Sequence, residues 1–298
     1  MPPFCRNSIV AVITFLCAAL LALHAKATVL VLPNSWTGGA PAPGVTGSQT
    51  FTSSGQTATI SVNNNGTSAT GATWAAGYPA FNSTQTTGGL SPLQNGLQLY
   101  ATSTSSTSAF ILTTVTFATA VTNVSFEIWD VDKSATQFVD TITGIQALAF
   151  YTGAVQGASS VTSAVPNTYN TVQGSGLSFR VDGTAGASNT TNQGTVTISF
   201  TGPITQFSFL WSNTDPGLGG QAIGVGNINF TPVPEVSALW PVAGLLLLGC
   251  GGRVAQSALL RRRLVRGKRR ARSKSSSVSV AEGERLDIGQ LCNCVAFD

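Results

Sequence analysis

Apolar and polar residues alternate over short stretches along most of the chain, and no long stretch shows the 3.6-residue period of an amphipathic helix. In "VSFEIW", Val124, Phe126 and Ile128 fall on one side of an extended strand, and Ser125 and Glu127 fall on the other. Nine segments rich in Val, Ile, Thr and Phe lie between clusters of Gly, Asn, Ser and Pro: "TATISVNNNG", "LQLYATS", "SAFILTTVTFA", "TNVSFEIWDVD", "DTITGIQALAFY", "GLSFRVDG", "GTVTISFTG", "TQFSFLWSN" and "IGVGNINFTP". The pattern predicts an all-β protein.

The predicted strands occupy residues 28–232, and their spacing is typical of an antiparallel β-sandwich or jelly roll rather than of βαβ units. Residues 28–91 form the looser part of this domain, because Thr, Ser, Gly, Asn and Ala dominate there and apolar anchors are few. We expect short strands, long loops or partial disorder in that part. Trp129 interrupts the alternation of "VSFEIW". It is either a core residue or a binding aromatic, and we expect a core residue.

A first long apolar run lies at the N-terminus. Arg6 precedes "SIVAVITFLCAALLAL", and the run ends at "AKA", with small residues at Ala25 and Ala27. A charged start, an apolar centre and small residues before the cut are typical of a secretory signal peptide. The run is too short for a membrane span, which needs about 20 apolar residues. The sequence therefore predicts a signal peptide over residues 1–27 and export of the chain beyond Ala27.

A second apolar run comes after the last predicted strand. Residues 236–260 are long enough to form one transmembrane helix, with Arg253 near its end. Nine Lys or Arg residues lie within residues 261–274, and such a block stays on the cytoplasmic side of a membrane. The sequence thus predicts an exported domain, one span, and a basic, disordered cytoplasmic tail over residues 264–298.

The junction between the last strand and the second apolar run resembles a known sorting signal. Pro234 and Glu235 stand before the helix, and Arg261, Arg262 and Arg263 stand after it. This order is similar to the PEP-CTERM signal of exported bacterial proteins, here assigned to residues 233–263. Val236 occupies the position where that family usually has a second proline, and residues 264–298 extend beyond the basic cluster where family signals normally stop.

The resemblance implies a processing partner and a destination. A membrane protease of the exosortase type would recognise the signal. The protein would be anchored in the membrane or cell envelope, or released after processing to the cell surface or the extracellular matrix, often beside exopolysaccharide. The resemblance implies no ligand.

The exported region carries very little charge. Residues 28–234 contain six acidic and two basic residues, which gives a formal net charge of −4. Two positive charges cannot neutralise a run of phosphates, so we expect no binding of nucleic acid. The positive balance of the whole chain comes from the C-terminal basic block.

The exported region also lacks cysteine and histidine. Its stability must come from a hydrophobic core, since no disulfide can form within residues 28–234. The same absence excludes a serine triad with histidine, a cysteine nucleophile and a zinc site with His or thiolate ligands.

One acidic segment has the residue types of a metal site. "WDVDKSATQFVD" places Asp130 and Asp132 at a strand end and Asp140 at the start of the next strand. Calcium takes six to eight oxygen ligands from carboxylates, amides and carbonyls, so these three residues are candidate calcium ligands. The alternative is a solvated acidic turn that is held by side-chain hydrogen bonds.

Three functional classes are compatible with these observations. The first is a non-catalytic envelope or matrix protein with a structural or adhesive role. The second is a polysaccharide-binding module, with or without calcium, that uses exposed aromatic residues such as Trp36, Trp74, Tyr78 or Trp211. The third, a glycosidase that uses Glu127 and Asp130, is disfavoured because the two carboxylates lie on different strand faces. We therefore expect a protein that is not an enzyme.

Overall fold

The structure is a computed structural model that describes residues 26–65, 72–103, 110–215 and 219–233. These residues form sixteen strands and no helix, so they contain no segment that could cross a membrane as a helix. The strands are Thr28–Leu30 (β1), Thr46–Ser53 (β2), Gln56–Asn65 (β3), Ala72–Trp74 (β4), Ala80–Asn82 (β5), Gly96–Ser103 (β6), Phe110–Trp129 (β7), Asp140–Ala149 (β8), Val155–Gly157 (β9), Ser160–Ser163 (β10), Asn170–Gln173 (β11), Arg180–Gly183 (β12), Val196–Phe200 (β13), Ile204–Asn213 (β14), Gly220–Val225 (β15) and Ile228–Pro232 (β16).

Strand β7, the longest, belongs to both sheets of the domain. Residues 110–117 pair with β3 on one side and β14 on the other. Residues 121–129 pair with β13 on one side and with β16 and β15 on the other. Between these parts the register with β14 shifts, and nearby Asn123 has a left-handed φ of 51°. Such an irregularity bends a strand, and here β7 passes from one sheet to the other.

The two sheets are antiparallel throughout. The front sheet has the order β2, β3, first part of β7, β14 and β8, and β12 and β9 share the other edge of β8. Strand β11 extends this sheet beyond β12. The back sheet has the order β10, β13, second part of β7, β16 and β1. Strand β15 pairs with the end of β7 and with β6. Strand β6 also pairs with β4 and β5.

Phenylalanine side chains from both sheets meet in the core. Phe126 of the back sheet stacks on Phe207 of the front sheet, with ring centroids 4.4 Å apart. Phe200 and Phe230 of the back sheet contact Phe207 and Phe117 of the front sheet at 5.9 Å each. All five side chains are buried. The two sheets therefore pack face to face as a β-sandwich.

The structure confirms the predicted all-β, antiparallel class. The face assignment of "VSFEIW" is also confirmed, because Val124, Phe126 and Ile128 are buried in the core while Ser125 and Glu127 are only half-buried. Two details differ. The segments predicted as separate strands over residues 108–118 and 122–132 form the continuous β7, because the chain bends there instead of turning back. Residues 223–232, predicted as one strand, are divided between β15 and β16.

Residues 28–91 are more regular than we expected from their composition. Strands β2 and β3 form a hairpin of eight and ten residues, and β3 alternates strictly between buried and half-buried positions. Its apolar inward residues are Ala58, Ile60 and Val62, which are few beside the polar residues around them in the sequence. All three are nevertheless buried in the core. The remainder of this part does contain the short strands β4 and β5.

Candidate functional site

The acidic connection joins the end of β7 to the start of β8. Asp130 follows Trp129 directly and has a φ of 65°, a left-handed conformation that aspartate tolerates better than most residues. Asp130 and Asp132 are each 7% exposed, and Asp140 is fully buried. These three side chains are therefore not solvated, whereas the side-chain hydrogen bonds of the alternative, an acidic turn, are present at Asp132 and Asp140.

Asp140 closes the connection from within. Its Oδ1 accepts a hydrogen bond of 2.8 Å from the indole nitrogen of Trp211, and its Oδ2 accepts one of 3.3 Å from the backbone N–H of Asp132. In return, the backbone N–H of Asp140 donates to the carbonyl of Asp132 at 2.9 Å. Both oxygens of Asp140 thus hold the loop and the core together.

Asp132 ties the connection to the segment before β13. Its Oδ2 accepts a hydrogen bond of 2.7 Å from the backbone N–H of Ala187. The carbonyl of Ala185 accepts a further bond of 3.2 Å from the backbone N–H of Lys133. The carboxylates of Asp132 and Asp140 therefore both have hydrogen-bond partners, whereas Oδ1 of the buried Asp130 has none among the described residues.

Burial dominates the electrostatics of the three acids. Burial, and after it the charge of Asp132, raises the pKa of Asp130 from 3.8 to about 8. Burial also raises the pKa of Asp132, against the lowering effect of the Ala187 N–H. The pKa of Asp140 lies well above its ordinary value because burial outweighs the hydrogen bond from Trp211. Asp130 therefore keeps its proton at neutral pH unless a cation approaches it.

Within the described ranges, no three acidic, histidine or cysteine side chains are grouped closely enough to hold a metal ion. Calcium binding by Asp130, Asp132 and Asp140 stays a prediction. Among the described residues, a site that includes Asp130 can use at most one further carboxylate and has to draw its remaining ligands from amide, hydroxyl or carbonyl oxygens.

The residues of the sorting motif lie outside the described residues. This holds for Pro234, Glu235 and the arginines 261–263, for the predicted helix over residues 236–260 and for the tail over residues 264–298. The signal peptide, apart from its last two residues, lies outside them as well.

The predicted binding aromatics are less exposed than a flat stacking platform requires. Trp211 is 1% exposed, so the expectation that it faces solvent is wrong; it packs in the core beside Asp140. Trp36 and Trp74 are half-buried against the core, and their indole N–H groups donate to the carbonyls of Gly39 and Pro41. Tyr78 is half-buried and makes an edge contact with Tyr100 at 5.5 Å.

The outer face of the back sheet carries a groove that sequence reasoning missed. It has a volume of about 440 Å³. Ser125, Glu127 and Thr197 lie on its strand floor, where Glu127 is directly opposite Thr197. The rest of this outer groove is lined by Val29, Leu90, Gln94, Phe126, Trp129, Gly226, Asn227 and Asn229.

Glu127 is held in place by Trp129 beneath the groove. The indole N–H of Trp129 donates to Oε2 of Glu127 at 3.0 Å. Trp129 is 1% exposed, which confirms that it is buried, but it lies on the outer face and not between the sheets. Glycines surround it closely, since a Cβ on Gly88 or Gly96 would come within 2.5 Å of the indole ring.

The amide groups at the rim are also held by hydrogen bonds. Nδ2 of Asn227 donates to Oε1 of Gln94 at 2.8 Å, and its Oδ1 accepts from the backbone N–H of Leu32 at 3.1 Å. The groove thus presents hydroxyl, amide and carboxylate groups in fixed positions. The floor of the groove could have been predicted from "VSFEIW", where Ser125, Glu127 and Trp129 share one strand face. The opposite wall could not, because it comes from β16 and from the loop before β6.

The pair Glu127 and Asp130, considered for a glycosidase, is divided between two environments. Glu127 faces the outer groove, whereas Asp130 is buried at the strand end and is not among the groove residues.

No protein-family model matches the chain, and no curated protein matches it. Among solved structures the chain is similar to the N-terminal domain of the Streptococcus gordonii adhesin Sgo0707, at 11% sequence identity and a TM-score of 0.34. The likeness covers 68% of this chain, which spans about half of the adhesin chain (48%). A likeness this distant carries no argument about function.

Proposed function

We propose that the chain is a non-catalytic protein of the bacterial cell envelope or extracellular matrix with a structural or adhesive role. The main support is the position of the sandwich in the chain. Strand β1 begins at Thr28, directly after the predicted cleavage at Ala27, and β16 ends at Pro232, two residues before Pro234. A complete β-sandwich therefore fills the interval between the two predicted targeting segments.

The pairing of the first and last strands supports the same proposal. Strand β1 pairs with β16, with Thr28 opposite Phe230 and Leu30 opposite Ile228. Cleavage after Ala27 would leave β1 intact at the edge of the back sheet. Export and C-terminal anchoring can thus act on the two ends of the domain without removing any strand.

The chemistry of the exported region supports a role without catalysis. Residues 28–234 contain neither His nor Cys. Among the described residues that line the outer groove, Glu127 is the one carboxylate, and glycoside hydrolysis uses two. This part of the lining therefore offers no pair of carboxylates for acid–base catalysis.

Anchoring by the C-terminal signal predicts a defined mature product. In a host that has an exosortase-type protease, cleavage near Pro234 and Glu235 would remove residues 261–298, which contain the basic block. Intact-mass measurement of the surface form should then find a chain that begins at Thr28 and ends near residue 235.

A matched strain without the protease is the control, and it should retain the full C-terminal segment. A surface form that still carries residues 261–298 in the presence of the protease would contradict the sorting proposal and leave a plain membrane anchor.

A second candidate function, binding of polysaccharide, is favoured by the outer groove. Its volume suits one or two sugar rings, and its fixed hydroxyl, amide and carboxylate groups can both donate to and accept from sugar hydroxyls. The apolar side chains of Val29 and Leu90 in the lining can contact the less polar face of a ring. Glu127 supplies the strongest acceptor of the groove.

Substitution tests this candidate. The change Glu127→Gln keeps an oxygen for the Trp129 indole but removes the charge, so we expect affinity for exopolysaccharide to fall roughly tenfold, or about 1.4 kcal/mol. Affinity electrophoresis through polysaccharide gels measures this effect. The change Ser48→Ala, on strand β2 of the other sheet, should leave mobility unchanged; equal retardation of the wild type and Glu127→Gln would exclude the groove.

A further inference from the structure

The hairpin of β8 and β9 carries a concentration of exposed apolar side chains. Phe150 is 47% exposed, Tyr151 is 72% exposed and Val155 is 52% exposed. Among the described residues eight large apolar side chains are exposed, and these three belong to one hairpin. The rings of Phe150 and Tyr151 meet edge to face, with their centroids 5.0 Å apart. Single exposed apolar side chains are common, but a cluster with two aromatic rings marks a contact surface.

The strand pairing places this hairpin beside the point where the chain leaves the sandwich. Ile204 of β14 is opposite Ala149, the last residue of β8, and also opposite Val121 of β7. Val121 is in turn opposite Pro232, the last residue of β16. Neighbouring strands are about 4.8 Å apart, so the ends of β8 and β16 are about 14 Å apart along this row.

The chain continues past the row at the same end on both sides. Beyond β8, the backbone N–H of Phe150 donates to the carbonyl of Pro203 at 2.9 Å. Beyond β16, the backbone N–H of Val233 donates to the carbonyl of Ala120 at 3.0 Å. We use the name exit end for this end of the sandwich, which is formed by residues 150–155, Pro203, Ala120 and Val233.

The charged residues of the exported region lie at the opposite end. Asp140 and Ala149 are the first and last residues of β8, and a strand of this length spans about 30 Å. Strand β12 lies beside the start of β8, where Asp182 is opposite Thr141. The other charges are in β12, near the end of β7, in the acidic connection, or just after β14, which ends opposite Asp140. The eight charged residues are Glu127, Asp130, Asp132, Lys133, Asp140, Arg180, Asp182 and Asp215.

The predicted span determines which surface the exit end meets. Val233 is the last described residue, and the predicted transmembrane helix begins at residue 236. Three residues of extended chain reach at most about 11 Å, so anchoring through this span keeps the exit end at the lipid headgroups. Tyrosine is enriched at membrane–water interfaces, and the phenylalanine beside it adds apolar area. Contact between the exit end and lipid desolvates no charged side chain, which would be costly.

We propose that the exit end docks on the lipid surface of the membrane that holds the C-terminal span, with Phe150 and Tyr151 in the interface. The inference rests on the anchoring in the proposed function. Two aromatic side chains bind lipid weakly by themselves, but the short connection keeps them at a high effective concentration. Docking directs the opposite end of the sandwich, where Glu127 lies in the outer groove, away from the membrane. Cleavage near Pro234 removes the connection, so docking ends when the sandwich is released.

Radical footprinting of the full-length protein in lipid nanodiscs tests the docking. The discs contain phosphatidylethanolamine and phosphatidylglycerol, and a short protease site inserted between Val233 and Pro234 releases the sandwich in the same sample. Oxidation of Phe150 and Tyr151, measured by mass spectrometry, should increase severalfold on release. Leu93, which is 61% exposed in the loop before β6, should be oxidised equally in both states.

Substitution separates lipid contact from mere proximity to the membrane. The double change Phe150→Ala and Tyr151→Ala removes both rings, so Val155 should no longer be covered by lipid. The ratio of Val155 oxidation after release to that in the disc should therefore fall toward unity in the double variant. The matched control Leu93→Ala removes an exposed apolar side chain outside the hairpin and should keep the wild-type ratio.

Three results would overturn the proposal, and they differ in what else they contradict. Equal oxidation of Tyr151 in the disc and after release, in a chain that co-purifies with discs, excludes docking and leaves the anchoring intact. A chain that does not co-purify with discs contradicts the anchoring, and docking with it. If Tyr151 reacts freely in the disc but is protected by soluble exopolysaccharide, the hairpin binds sugar instead of lipid.

Discussion

Replacement of Phe126 by alanine is expected to lower the free energy of unfolding by about 3 to 5 kcal/mol. Phe126 is 2% exposed and lies where the two sheets meet, with its ring stacked on Phe207 at 4.4 Å and near Phe209 at 6.2 Å. Truncation removes buried apolar area and leaves a cavity that rigid strands on both sides cannot fill. Denaturant unfolding followed by tryptophan fluorescence measures the loss.

Phe150 provides the matched control for this prediction. It follows β8, is 47% exposed, and contacts Tyr151 at the surface. We expect Phe150→Ala to cost less than about 1 kcal/mol. Equal losses for the two substitutions would contradict the packing of the two sheets on Phe126.

Local alternation in the sequence predicted nine of the sixteen strands, among them β3, β7, β8 and β14, and it predicted the inward face of the segment around Phe126. The segment around Phe126 shows why, because a strand with one face in the core has to place apolar residues at every second position. Alternation carries no information about partners along the ladder. The continuation of β7 through Asn123 therefore could not be predicted, since the bend depends on the separate partners β14 and β16.

Long-range pairing also explains what sequence reasoning missed at the candidate sites. The outer groove combines Glu127 of β7, Thr197 of β13 and Asn229 of β16, which adjoin only after the back sheet has formed. By contrast, the three clustered aspartates were recognisable, but their burial and the use of Asp140 by Trp211 were not.

The outer groove and the acidic connection are neighbours along the chain. The indole N–H of Trp129, which is buried beneath the groove, donates to Glu127, and the next residue, Asp130, begins the acidic connection. The backbone of Asp130 is left-handed, with a φ of 65°.

In chelator, the free energy of unfolding should fall as the pH rises from about 5 to 8. Burial, followed by the charge of Asp132, raises the pKa of Asp130 from 3.8 to about 8 in the folded state. Between these values the folded protein holds a proton that the unfolded chain releases, so the stability due to this group is complete below its unfolded pKa and is lost as the pH passes through the folded pKa. The slope reaches about 1.4 kcal/mol per pH unit for each such proton. The buried neighbours Asp132 and Asp140 act in the same direction, since burial raises the pKa of each.

The variant Asp130→Asn separates this effect from the general titration of the protein. Its side chain has nearly the same shape but no ionisable group, so its stability should depend less steeply on pH over this range, and it should exceed the wild type in stability at pH 8 in chelator. Urea unfolding at fixed ionic strength between pH 5 and 8 provides the comparison. A wild-type stability that increases toward pH 8 in chelator would show that Asp130 is ionised in the folded domain without help from a cation, and the assignment of its burial as the dominant influence would then be wrong.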